Sequence, residues 1–261
     1  MIRVIAIARL VLMEMIRRRD VYALLIVLVA LLAALLSLNV FGLGGTAGYV
    51  KEIGLLAAGL LGWSFAIQTG ARQLPREEQS GTLFPLLAKP VSRWELVLGK
   101  WLGAWLAACA ALAAFALVVL AAVVFKGGSM DGGTLLQAYI LQIAELAAVT
   151  ALAVCLSTRM HSDASATLAY LITGTAFLLT PRIPHLLTVA SPGAREALTA
   201  LYYLLPHAEW FDLRRRLVHD WGPAPWSAFG LVVVYGALWT AAALLAAWAA
   251  LRRKRFDRGA A

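Results

Sequence analysis

Glu145 is the only formal charge inside the long apolar stretches of this 261-residue chain. A carboxylate at membrane depth is costly and usually faces a cavity or a polar partner. Gln142 lies one turn before it, and Gln68 and Thr150 are further candidate partners. Two roles follow, and the sequence leaves both open. Glu145, Gln142 and Gln68 could line a translocation path or a dimer interface, or Glu145 could make a helix-packing hydrogen bond with no part in translocation. A second group of reactive types lies near the C-terminal third: His185, His207 and His219, with Glu209, Asp212 and Asp220 close in sequence. Imidazole and carboxylate together bind zinc or copper. Here the spacings are irregular and no cysteine or methionine cluster joins them, so no metal site is expected. Tyr202, Tyr203, Trp210 and Trp221 in the same stretch read more simply as an interfacial aromatic belt. The two cysteines, Cys109 and Cys155, sit singly in apolar runs and read as small buried hydrophobes.

Catalytic arrangements are missing as motifs. Serine and histidine are scattered without the order a hydrolase would need. The one Gly-Lys pair, Gly99-Lys100, is followed by Trp101 and lacks the upstream glycine of a phosphate-binding loop. Such a loop needs a Ser or Thr after the lysine, because that hydroxyl meets the metal. The chain is therefore expected to be no enzyme and to hold no cofactor, so any ATP chemistry must come from a partner.

The elements that would carry these residues are set by composition. The chain is 62% hydrophobic and 14% charged, where a soluble domain carries about 25% charged residues. A net charge of +9 could suggest nucleic acid, but the basic residues cluster between apolar runs, as they do on the inner side of a membrane protein. No nucleic-acid partner is expected. A bilayer core needs roughly 20 apolar residues per helix. Residues 21–41, 53–71, 101–125, 135–157, 164–180 and 226–251 meet that test, the fifth least well. Backbone groups in lipid must be satisfied internally, so each is read as a helix. The expected fold is all-α, a single transmembrane domain over residues 1–261 with six spans.

The Lys and Arg distribution puts both termini in the cytoplasm. Arg3, Arg9, Arg17, Arg18 and Arg19 mark the start, residues 72–100 hold five more basic residues, and Arg252, Arg253, Lys254 and Arg255 mark the end. Residues 181–225 also hold five arginines yet fall outside, which the rule tolerates in a long loop. Three elements do not span. Residues 2–19 read as an interfacial helix, with Arg3, Glu14, Arg17 and Arg18 on one arc and Ile5, Leu12 and Ile16 opposite; Arg9 falls near the apolar side. Residues 72–100 form a cytoplasmic loop. Residues 181–225 form an extracytoplasmic segment broken by Pro181, Pro184, Pro192 and Pro206, with short surface helices expected over 193–205 and 210–219. The start is not read as a cleavable signal, because Arg9 and Glu14 break its first apolar stretch.

The cytoplasmic loop carries the most specific pattern. Gly81 is placed to end a short charged helix over 76–80. Thr82, Leu83, Phe84 and Leu87 then make a short apolar element closed by Pro90, and Ser92 with Glu95 forms a capping box that starts the next helix. Such an exposed apolar element, flanked by charge, marks a protein contact. The run Glu77-Glu78-Gln79-Ser80-Gly81-Thr82-Leu83, then Leu87-Ala88-Lys89-Pro90-Val91-Ser92-Arg93 and Gly99-Lys100, resembles the signature loop of type-2 ABC transporter permeases, and is especially similar to the NosY-like branch of copper-enzyme maturation. Tyr202 to His207 with Phe211-Asp212-Leu213 also resembles that branch.

The resemblance implies a homodimer of permease subunits in a bacterial inner membrane, each docked on a separate cytosolic ABC ATPase. The coupling helix would run over residues 78–87, with Glu77, Glu78, Gly81, Thr82, Leu83, Phe84 and Leu87 as the ATPase-coupling residues. Export is the implied direction, and the cargo is left open. Two rival functions stand beside transport. One is transmission of force to an extracytoplasmic accessory or assembly partner docked on 181–225, and the other is an ion-coupled carrier. The carrier would call for inverted repeats and several intramembrane charges, and the chain has one charge and no clear repeat.

Overall fold

A computed structural model describes residues 2–17, 20–37, 46–79 and 92–253 of the chain. The described residues are helical and turn, with no strand among them. In order they form α1 (Ile2–Arg17), α2 (Asp20–Ser37), α3 (Thr46–Ala71), α4 (Pro75–Gln79), α5 (Arg93–Phe125), α6 (Gly132–Ser157) and α7 (Ser162–Leu179). Then come a 3₁₀ turn (Thr180–Arg182), α8 (Ile183–Val189), α9 (Pro192–Leu204), a second 3₁₀ turn (Ala208–Phe211), α10 (Arg214–Val218) and α11 (Trp226–Arg252).

Five helices, those containing α3, α5, α6, α7 and α11, are long and apolar enough to cross a membrane. α2 is apolar but has 18 residues, about 27 Å of helix. The continuation expected to Phe41 lies outside the described residues. The architecture is an all-α membrane domain, as composition led one to expect.

α3 is the central post. It packs against α2, α5, α6 and α7, and its Phe65, Ala66 and Ile67 are fully enclosed with Phe115 of α5 and Leu146 of α6. Small residues let the backbones close up, as is usual where lipid supplies no hydrophobic drive. A Cβ built on Gly70 would stand 2.8 Å from the Ala153 Cβ and 3.1 Å from the Thr150 carbonyl oxygen. α6 is locked to α5 by the stacked indoles of Trp101 and Trp105, which donate to the Ala147 and Ile143 carbonyls, both at 3.0 Å. Those two carbonyls flank Glu145 in sequence, so its turn of helix is fixed from behind.

α1 does not simply lie beside the bundle. Its Ile7, Ala8, Val11 and Met15 are buried, and they cross α5 where Gly99 and Gly103 are spaced four apart. A Cβ on Gly103 would fall 2.6 Å from the Val11 Cβ, and one on Gly99 would fall 2.7 Å from the Ile7 Cβ. The expected apolar arc is divided: Leu12 packs partly against the core, whereas Ile2, Ile5 and Met13 are exposed, Ile5 by 59%, with exposed Arg9 among them. α1 thus has one apolar face packed on α5 and another left exposed.

The capping box at Ser92 is present: the Ser92 N–H donates to Glu95 Oε2 at 2.8 Å, and the Glu95 N–H donates to Ser92 Oγ at 3.2 Å. At the opposite face Asp131 caps α6, accepting from the Thr134 hydroxyl and N–H at 2.7 Å each. The Thr134 side-chain bond, then its backbone bond, hold the Asp131 carboxyl below the usual range.

The last carbonyls of a helix have no intrahelical partner. In α11 they are met by arginines from elsewhere. Arg93 Nη1 donates to the Leu251 and Arg252 oxygens at 2.6 Å, and Arg159 Nη2 donates to the Ala250 oxygen at 3.0 Å. Cations at this end also oppose the helix dipole. Replacing both arginines by alanine should speed amide exchange over residues 247–252 by about tenfold, the loss of roughly one charge-assisted bond. Unchanged exchange would mean that packing of Trp94 on Trp248 holds the helix end by itself.

Candidate functional site

The segment between α7 and α11 is where the structure departs most from expectation. A short helix at 193–205 matches α9. The helix expected over 210–219, at the membrane surface, is instead a 3₁₀ turn and the five-residue α10, split at Asp212 and Leu213 and inserted into the bundle. Phe211 and Leu217 are buried. The Phe211 ring is what a Cβ on Gly236 would strike, at 3.0 Å, with Ala144 of α6 on the same side. Ala144 lies about 18 Å along α6 from its start, near the middle of that helix.

Irregular backbone is tolerated at such depth only inside protein, and here side chains satisfy it. The His207 N–H donates to the Tyr235 hydroxyl at 2.9 Å, and the Arg214 N–H donates to Asp212 Oδ1 at 2.9 Å. Downstream, Gln137 of α6 pairs through both amide atoms with the Ala224 backbone, at 2.7 and 3.0 Å. The arginines of this segment work internally as well. Arg195 reaches the Leu187 oxygen, Arg214 pairs with Asp212 at 3.5 Å, and Arg216 donates to the Gly222 and Pro223 oxygens. Three of the segment's five arginines thus bond within the segment itself.

This insertion brings Asp212 and Arg214 to Glu145. A void of about 30 Å³ is bounded by Gly59 and Trp63 of α3, Gln142 and Glu145 of α6, and Asp212 and Arg214. It lies between two larger spaces. Toward the segment's own face is a vestibule of about 380 Å³ bounded by Arg182, Glu209, Asp212, Arg214 and Arg215. On the other side is an apolar groove of about 470 Å³ with α6 as floor, α7 and α11 as walls, and residues 204–208 with Phe211 as roof. Glu145 and Trp63 border both the void and the groove. Glu145 is 8% exposed, and its Oε1 has no hydrogen-bond partner; Arg214 Nε likewise has none. Orphaned polar atoms in a buried site call for an explanation.

Of the residues proposed to act together, Glu145 and Gln142 meet here. Gln68 lies further along α3 and does not border the void. Thr150 faces inward, but its hydroxyl makes no hydrogen bond, so it is not the partner of Glu145. Trp63, Arg214, Tyr235 and Trp239 belong to the site and were not singled out for it. Asp212 enters the sequence reading as a metal candidate and in the Phe211-Asp212-Leu213 run, not as a neighbour of Glu145. His207 is packed among Tyr202, Trp210 and Tyr235, and His219 stacks on Trp221.

A second locus lies at the opposite face. Glu77 of α4 forms an ion pair with Lys100 of α5, the lysine side chain being 7% exposed. Arg76 reaches Glu14 of α1 at 3.0 Å, and Arg72 reaches Asp20 of α2 at 3.6 Å. Glu78 continues α4, its N–H donating to the Leu74 oxygen at 3.1 Å. Two parts of the sequence pattern, the acidic pair and the Gly-Lys, are thus joined to each other. Gly81, Thr82, Leu83, Phe84 and Leu87 lie outside the described residues.

An all-α membrane domain with an amphipathic helix seated on one span, helix ends held by the Glu77–Lys100 pair and the Ser92 cap, and a broken segment inserted from the opposite face defines a polytopic membrane protein. The chain matches the ABC-2 family transporter protein over residues 5–254 and belongs to that family. No curated protein matches it closely enough to be called a relative.

Proposed function

We propose that this chain is the membrane-spanning permease subunit of an ABC transporter, working as a homodimer with a separate cytosolic ABC ATPase. Its place is the bacterial inner membrane, with both termini and the loop at 72–100 in the cytoplasm, and its direction is export. The NosY-like branch is the nearest reading of its loop. The observation that carries the proposal is the bracing of the helix ends on either side of residues 80–91. Glu77 pairs with Lys100 before that stretch and Ser92 with Glu95 caps the helix after it, so a partner seated there would push on framed helix ends. Glu77 serves as part of that frame. Glu78, Gly81, Thr82, Leu83, Phe84 and Leu87 are the coupling residues, and Glu145 with Gln142 lies on the path.

Force transmission to an extracytoplasmic partner is favoured by one feature: Val189, Tyr203 and Leu204 on α8 and α9 present exposed apolar surface. The test of the main reading is capture from native membranes. The parent should bring down a protein that hydrolyses ATP, and Gly81→Arg and Glu78→Lys should not. If no ATPase is captured and the variants behave like the parent, the coupling reading fails and an ion-coupled carrier takes its place.

A further inference from the structure

We propose that the groove beside Glu145 binds an apolar molecule bearing a single positive charge, with Glu145 as its counter-ion. This names the cargo class for the permease reading and rests on it. The groove, at about 470 Å³, is within the range of ligand pockets, about 300–1,000 Å³. Its walls are aliphatic and aromatic, and Glu145 is the one formally charged residue among those lining it. That carboxylate is nine-tenths buried and has an oxygen accepting no hydrogen bond. The nearest other charges, Asp212 and Arg214, are paired with each other and together neutral. No cation among the residues lining the groove and the void is therefore left to pair with Glu145.

Burying a charge without a partner is expensive, and a cation arriving in the groove lowers that cost. Four aromatic side chains surround the same space: Trp63, Phe211, Tyr235 and Trp239. Their faces attract a cation, most strongly where water is excluded. A neutral guest without a donor leaves that oxygen orphaned, a neutral donor offers a weaker bond than a cation does, and an anion is disfavoured beside it. The groove selects charge at one end and apolar bulk along its length.

The probes are tetraphenylphosphonium and tetraphenylborate, which match in size and apolarity and differ in sign. Equilibrium binding to the purified full chain in detergent should show saturable phosphonium binding and much weaker borate binding. Glu145→Gln should weaken phosphonium by about tenfold or more, the low end of what close charge pairs contribute. Ala242→Phe, which fills the groove from the exposed side of α11, should weaken it with the carboxylate intact. Equal binding of the two probes, as expected of a groove that merely holds lipid tails, overturns the proposal. So does phosphonium affinity unchanged in Glu145→Gln. If Glu145→Gln does not yield folded protein, Ala242→Phe decides, and an unaltered affinity there overturns the proposal equally. ATPase capture on the same preparations separates the two readings. A parent that captures its ATPase but ignores the probe's sign refutes the cargo class and leaves the permease standing.

Discussion

Lys100→Met is expected to lower the unfolding free energy by about 3 kcal/mol, because it strands Glu77 in a site built for a pair. The lysine side chain is 7% exposed and the glutamate 19%, so water does little to compensate the remaining charge. Removing both charges should cost much less than removing one. Glu77→Gln combined with Lys100→Met is therefore expected to recover most of the loss, since a buried pair often contributes little net stability over an apolar replacement. The measurement is a double-mutant cycle of denaturant unfolding in detergent. A double variant as unstable as Lys100→Met would show that the lysine acts through packing of its stem, and that the pair is incidental. The prediction also bears on the loop, because a loosened Glu77 would free one side of the frame around residues 80–91.

The second large effect is expected at Gly103. Leucine there would place its Cβ 2.6 Å from the Val11 Cβ and 2.7 Å from the Ala8 oxygen. The latter is backbone, which cannot step aside. Overpacking of this kind typically costs 1–3 kcal/mol, and the simplest relief is for α1 to lift from α5. Gly103→Leu should thus lower the melting midpoint and open α1 to protease while the remaining helices stay intact. Gly174→Ala is the contrast. Its Cβ would meet nothing within 4 Å, and alanine is the better helix former, so stability should hold or rise slightly. Equal losses at the two sites would mean that the close crossing is not what matters.

Much of this was legible in the chain itself, and what was hidden has a common cause. Long apolar runs declare spans because lipid demands them, and the capping box at Ser92 and Glu95 is local chemistry that survives folding unchanged. The seat of α1 was not legible, although Gly99 was noticed. A glycine pair says that something comes close; what comes close was set by Ile7, Ala8 and Val11, on another helix. Read as an interfacial helix, α1 has the arc around Ile5 as its apolar side, and the second one, through Ile7, Ala8 and Val11, that packs on α5 goes unseen. With two apolar faces, its own sequence does not say which meets protein.

The site failed to appear for the same reason. Glu145 stood out through its cost, but Trp63, Asp212 and Arg214 come to it from separate segments. The inserting stretch looked like surface because its arginines count as charge in a sequence, whereas in the structure several are spent on backbone oxygens and on Asp212.

The crossing of α1 on α5 also has a consequence in time. The residues that receive Val11 are made some ninety positions later, which at 5–20 residues per second is about 5–20 s of synthesis. Through that interval Gly99 and Gly103 do not yet exist, so Ile7, Ala8 and Val11 are as uncovered as Ile2, Ile5 and Met13. The newborn helix is apolar on both sides, and only the arrival of α5 makes those sides differ.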